Sequence, residues 1–179
     1  MKNTIIASTI TALTAATLAT PAMANTYDDH NYLIKMVEAT GVRFYINPNQ
    51  CDTVNADGWF TTFRDGSQAM VVCQDNKVKG STRQVAWTAN DLDTIRHEAH
   101  HLTQDCMDGR LDGSLGSVYK APIDLGYKVM GQGKTHWVAE TYAEMGASAH
   151  VQVMEIEAFA VAQMNDPIDQ ANDIRRYCF

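Results

Sequence analysis

Residues 97–101 read His97-Glu98-Ala99-His100-His101, and the His-Glu-x-x-His spacing inside them has chemical content. On a helix, residues four apart share a face, so His97 and His101 can aim imidazole nitrogens at one metal ion while Glu98 projects beside it. Zinc held this way lowers the pKa of a bound water to about 7, and a carboxylate within reach can take its proton as the water attacks a carbonyl. With six His and six Glu in 179 residues, the pattern arises by chance in roughly 0.7% of such chains. The plainer alternative is a solvated helix whose His and Glu face water. His100 sits about 100° round the helix from His101, which reads as a surface position or one behind the ligands.

The motif works only if its segment is helical. Asn90-Asp91-Leu92-Asp93-Thr94 supplies capping side chains and early acids, and Ile95, Ala99 and Leu102 then follow along one face, predicting a helix over about 91–107. Upstream, Asp28 to Thr40 carries Leu33, Met36 and Val37 at helical spacing and stops at Gly41. Between them lie short β-rich runs, Val42 to Ile46, Trp59 to Phe63, Ala69 to Cys73 and Gln84 to Trp87. Turn formers such as Asn47-Pro48-Asn49 and Asp65-Gly66-Ser67 separate them, predicting a small antiparallel sheet. Downstream, glycine-rich stretches predict loop with one short element around Val118 to Ile123. A last long helix is expected from near Thr135 toward Met164, bending at Gly146.

The five-residue motif resembles the active-site helix of the zincin metallopeptidases. That resemblance implies an α+β fold, Zn2+ held by His97 and His101, and Glu98 as general base on a zinc-bound water. A metzincin would need Gly and His where Gln104 and Met107 stand, so that branch does not apply. The chain is more similar to gluzincins, which draw a third ligand from a later Glu-x-x-Ala helix; here Glu155-Ile156-Glu157-Ala158-Phe159-Ala160 offers one. Glu155 shares a face with Ala147, Val151, Ala158 and Ala162, a small-residue strip able to approach another helix closely, and is the chosen ligand. Glu157 points well over 100° away and stands in reserve, with its loss expected to leave metal and activity nearly intact. Glu140 and Glu144 read as an exposed helix face. Phe159 stands where many such families have Asp or Asn, so the partner of the histidines is left unidentified. A transition-state donor could be Tyr142, Tyr127 or His136.

Positive Met1-Lys2-Asn3, an uncharged stretch to Thr20 and Pro21-Ala22-Met23-Ala24 read as a secretory signal peptide over residues 1–24. Residues 25–179 then form a single metallopeptidase-like domain, secreted or periplasmic after cleavage near Ala24. Losing the leader removes only Lys2 among the charges, so the net charge of -7 becomes -8, which disfavours a nucleic-acid partner. No later segment is apolar enough to span a membrane. Cys51, Cys73, Cys106 and Cys178 favour two disulfides in an oxidising compartment. Of three pairings, Cys51–Cys73 with Cys106–Cys178 is preferred because the first closure is local.

The expectation is therefore a secreted zinc metallopeptidase acting on a peptide or protein substrate, with Zn2+ as cofactor. An edge strand near Gln84 to Trp87 would align an extended peptide. The alternative is an exported, non-catalytic zinc-binding or interaction protein whose metal site is structural.

Overall fold

The computed structural model describes residues 21–108 and 111–179, so the leader assigned to residues 1–24 lies outside the described residues as far as Thr20. The elements run α1 (Pro21–Ala39), β1 (Arg43–Ile46), β2 (Gly58–Thr62), β3 (Gln68–Val72), α2 (Ala89–Asp105), α3 (Pro122–Glu144), α4 (Ala149–Met164) and α5 (Pro167–Cys178). The class is α+β, as expected: five helices and a three-stranded sheet among the described residues.

The sheet itself corrects the antiparallel expectation. Its order is β1-β3-β2, with β2 antiparallel to β3 but β1 parallel to it. The connection over 47–57 is long enough to carry the chain past the place that β3 later fills, so β1 and β2 never form a hairpin. β3 is buried along its whole length, whereas β2 is an edge strand. Gln84 to Trp87 is not a strand. Its backbone is held by side-chain amides: Gln74 donates to the Val85 carbonyl at 2.9 Å and accepts from the Val85 N–H at 2.8 Å, while Asn47 donates to the Arg83 carbonyl at 3.0 Å. Extended backbone satisfied this way needs no ladder.

α2 starts where its cap dictates. The Thr88 hydroxyl accepts from Asp91 N–H at 3.1 Å, and the Asp91 carboxylate accepts from Thr88 N–H at 2.8 Å, a reciprocal capping box. Leu92, Ile95, Ala99 and Leu102 face the core formed with Leu33, Val37, Met70, Val72 and Ile174. α2 is thus the central element, touching α1, α4, α5 and two strands. Disulfides join Cys51 to Cys73 and Cys106 to Cys178, the preferred pairing; the second ties the turn after α2 to the end of α5. Both bonds fit an extracellular or periplasmic protein. Among the described residues no helix is long and apolar enough to cross a membrane.

The single last helix expected from Thr135 to Met164 is two helices, parted at 145–148, where Ser148 caps α4 by accepting from the Val151 N–H. The separation lets α4 fold back along α3 while also packing on α2. α3 begins at Pro122 and is interrupted at Gly131, whose φ of 79° and ψ of 162° no side-chain-bearing residue adopts readily. α5, capped by Asp166 with Pro167 in its first turn, was not anticipated.

Candidate metal centre

His97 and His101 lie one turn apart on α2, and α4 crosses to bring Glu155 against them. His97 Nε2 and His101 Nε2 are 3.1 Å apart, and Glu155 Oε2 stands 3.2 Å from the first and 3.4 Å from the second. The three form a group that could hold a metal ion. Bonds of about 2.0–2.1 Å at tetrahedral angles place ligand atoms roughly 3.3–3.4 Å apart, so the triangle fits one face of such a site. Three donor atoms meeting so closely, one of them a carboxylate, suit a shared cation better than direct contact between imidazole lone pairs.

Electrostatics agree with the geometry. Burial by itself would raise the Glu155 pKa, but hydrogen bonds and charge from His101 and His97 hold it well below the usual carboxylate range. Burial likewise opposes protonation of His101, yet the hydrogen bond and charge of Glu155, with the charge of Glu98, lift it to about 9. Without a cation between them, a proton on His101 takes its place.

Glu98 is buried beside the triad rather than in it. Burial raises its pKa, against the lowering effect of His97 and His101 and of a hydrogen bond from the Phe60 N–H. Its position depends on Gly58: a Cβ there would meet Thr94 Cγ2 at 2.6 Å, the Val71 carbonyl at 2.7 Å and Glu98 Cγ at 3.3 Å. Only glycine lets β2 lie this close to α2.

The triad opens into a cleft of about 590 Å³ walled by β2, by Asp112, Gly113 and Leu115, and by Tyr142 and Met145. A second cleft of about 310 Å³ adjoins His97 and Glu98 from the Asn90 side, beneath Trp137 and Phe159. Asp105, at the end of α2, accepts from Gly113 N–H at 2.7 Å and Asp112 N–H at 3.2 Å, fixing the loop that forms part of the first wall.

Of the three candidate donors, Tyr142 lines both clefts. Burial and the charge of Glu155, to which it is hydrogen-bonded, push its pKa far up, so its hydroxyl stays protonated. Tyr127 and His136 instead bond to each other at 3.0 Å on the exposed side of α3. Glu140 and Glu144 are exposed.

Glu157, the reserve ligand, is otherwise engaged. Its carboxylate accepts from His100 Nε2 at 2.9 Å, the Val118 N–H at 2.9 Å, the Tyr119 N–H at 3.2 Å and the Ser117 hydroxyl. His100 is accordingly buried, behind the ligands rather than on the surface. Burial lowers the His100 pKa, so it donates as a neutral ring. The donors around Glu157 overcome its own burial and hold its pKa down to about 2.

His101 Nδ1 meets Gln104 Oε1 at 2.7 Å, whereas His97 Nδ1 is buried with no partner and its ring packs on Phe159 at 4.4 Å between centroids. Gln104, His100 and Glu157 were not assigned from the sequence as a connected group. The available signal was the four-residue spacing of His100 and Gln104 on a flank adjoining the motif. Compared with protein-family models, with curated proteins and with solved structures, the chain matches none.

Proposed function

We propose that this protein is an exported zinc-dependent metallopeptidase of gluzincin-like type. The observation that carries the reading is the convergence of His97, His101 and Glu155 at the floor of an open cleft, with buried Glu98 alongside. Structural zinc is enclosed by four protein ligands, so three donors in an open cleft favour turnover over the non-catalytic alternative. When bound, zinc supplies Lewis acidity, acidifying a water and polarising a carbonyl. Glu98, kept basic by burial, takes the proton at its carboxylate and returns it to the leaving amine. Tyr142, whose hydroxyl stays protonated, exchanges its bond to Glu155 for a hydrogen bond to developing negative charge on the carbonyl oxygen. An extended peptide lies along β2, the edge strand lining the cleft, in place of the Gln84 to Trp87 segment assigned from the sequence.

The testing experiment is cleavage of a peptide library by purified protein carrying one zinc per chain. Hydrolysis abolished by chelator and restored by zinc is expected. A fully zinc-loaded protein that cuts no peptide would overturn the proposal in favour of a structural site.

Zinc must displace the proton on His101, so affinity for zinc should rise with pH through the neutral range up to about 9 and level off above. Because this pKa is raised, the proton's contribution to the metal-free fold is complete below about 6.5 and is lost as pH rises through about 9. Calorimetric titrations in buffers of different ionisation enthalpy measure the release, expected to approach one proton per zinc near neutral pH. Affinity flat across that window would contradict the His101 assignment.

A further inference from the structure

We propose that Gln104 is a positioning residue that fixes His101 as the Nδ1–H tautomer, leaving the Nε2 lone pair aimed at the centre of the triad. Its effect on metal affinity rests on the zinc reading above; the tautomer itself does not. The amide of Gln104 touches three groups: its oxygen faces His101 Nδ1 at 2.7 Å, and its nitrogen faces the Met154 carbonyl at 3.0 Å and Glu157 Oε1 at 3.2 Å. Two of those neighbours are acceptors without a proton to give. Turning the amide over would set its oxygen against a carbonyl and a carboxylate, so only one orientation satisfies the hydrogen bonds.

Glu157 faces Gln104 as an acceptor, and it is immobile because His100, Ser117, Val118 and Tyr119 donate to it as well. The amide is consequently held from both ends: Met154 lies one residue before the ligand Glu155, and Glu157 two residues after it. With its oxygen the one hydrogen-bond partner of His101 Nδ1 among the described residues, the ring must donate there. One segment of α4 thus supplies a ligand directly and orients a second through Gln104, whereas His97 has no comparable partner. The motif's second histidine is the preorganised one.

The test uses the full chain with histidine rings labelled with 15N, wild type and Gln104→Met, a variant close in size that cannot hydrogen-bond the ring. In wild type, the proposal expects a slowly exchanging Nδ1–H signal for His101, in the zinc-loaded protein and in the metal-free protein wherever its ring is neutral. Finding His101 as the Nε2–H tautomer in metal-free wild type overturns it, whether or not any variant folds. In Gln104→Met, zinc affinity should fall by about 10- to 100-fold and the Nδ1 proton should exchange rapidly. Affinity within twofold of wild type together with a retained, protected Nδ1–H would also overturn it. A wild type that binds no zinc defeats the metallopeptidase reading instead, and the metal-free ring signals still decide the tautomer.

Discussion

Glu98→Gln is expected to keep its metal and lose peptide hydrolysis by a factor of about 10² to 10⁴, the range for removing a positioned proton-transfer group. The side chain sits where both clefts meet, next to but outside the triad, so an amide of nearly the same shape preserves the packing around Gly58 and the hydrogen bond from Phe60. What it removes is basicity. Burial gives the carboxylate a raised pKa, so it holds a proton better than a solvated glutamate would, and the amide cannot take one at all. The loss should fall on kcat with KM little changed, because no role in holding substrate is assigned to Glu98. Metal content by mass spectrometry and single-turnover cleavage separate the two effects. Full activity in this variant would remove Glu98 from proton transfer.

Glu157→Ala should destabilise the fold by about 2–4 kcal/mol, because it leaves several donors unsatisfied at about 1–3 kcal/mol for each one that water cannot reach. The helical wheel taken alone made this residue dispensable for metal and activity, and is silent on the fold. In the folded chain its loss leaves buried His100, two half-buried loop amides and one hydrogen of Gln104 without their acceptor, while the Ser117 hydroxyl keeps the Tyr119 carbonyl. The same group sets an acid limit. With its pKa held at about 2, against about 4.3 for a free glutamate, its ionised form stabilises the fold fully above the higher value. That contribution is lost as pH falls from there toward 2. Urea midpoints followed between pH 6 and pH 2 should show a steep acid limb in wild type that is shallower in the variant. A variant within about 1 kcal/mol of wild type at neutral pH would show that water or neighbouring groups replace the carboxylate.

Periodicity encodes one part of this architecture and leaves another part open. A 3.6-residue repeat reports which residues share a face, so the α2 helix, the His97 and His101 pair and the direction of Glu155 could be read before any coordinates. It does not report what a face meets. Glu157 does point away from the triad, but the crossing of α4 over α2, together with the loop at 117–119, brings partners to that side as well. Almost every side of α2 from His97 onward is buried, although only one stripe is apolar; the other sides are covered by hydrogen-bonded partners that no local pattern specifies. The sheet failed for a related reason. Turn residues mark where strands end, while the parallel pairing of β1 with β3 depends on where the 47–57 connection travels. Likewise Gly146 marked a change of direction between Thr135 and Met164, but whether the chain bends or reverses there is decided by α4 packing on both α3 and α2.

The cleft's walls are unequally held. α2, carrying the histidines, is braced by three helices, two strands and a nearby disulfide, whereas α3 touches α4 alone among the described elements. Local opening therefore costs far less free energy on the side that bears Trp137, Tyr142 and Met145. With the interruption at Gly131 behind it, this wall is the one that can yield while the helix bearing the two histidines stays fixed.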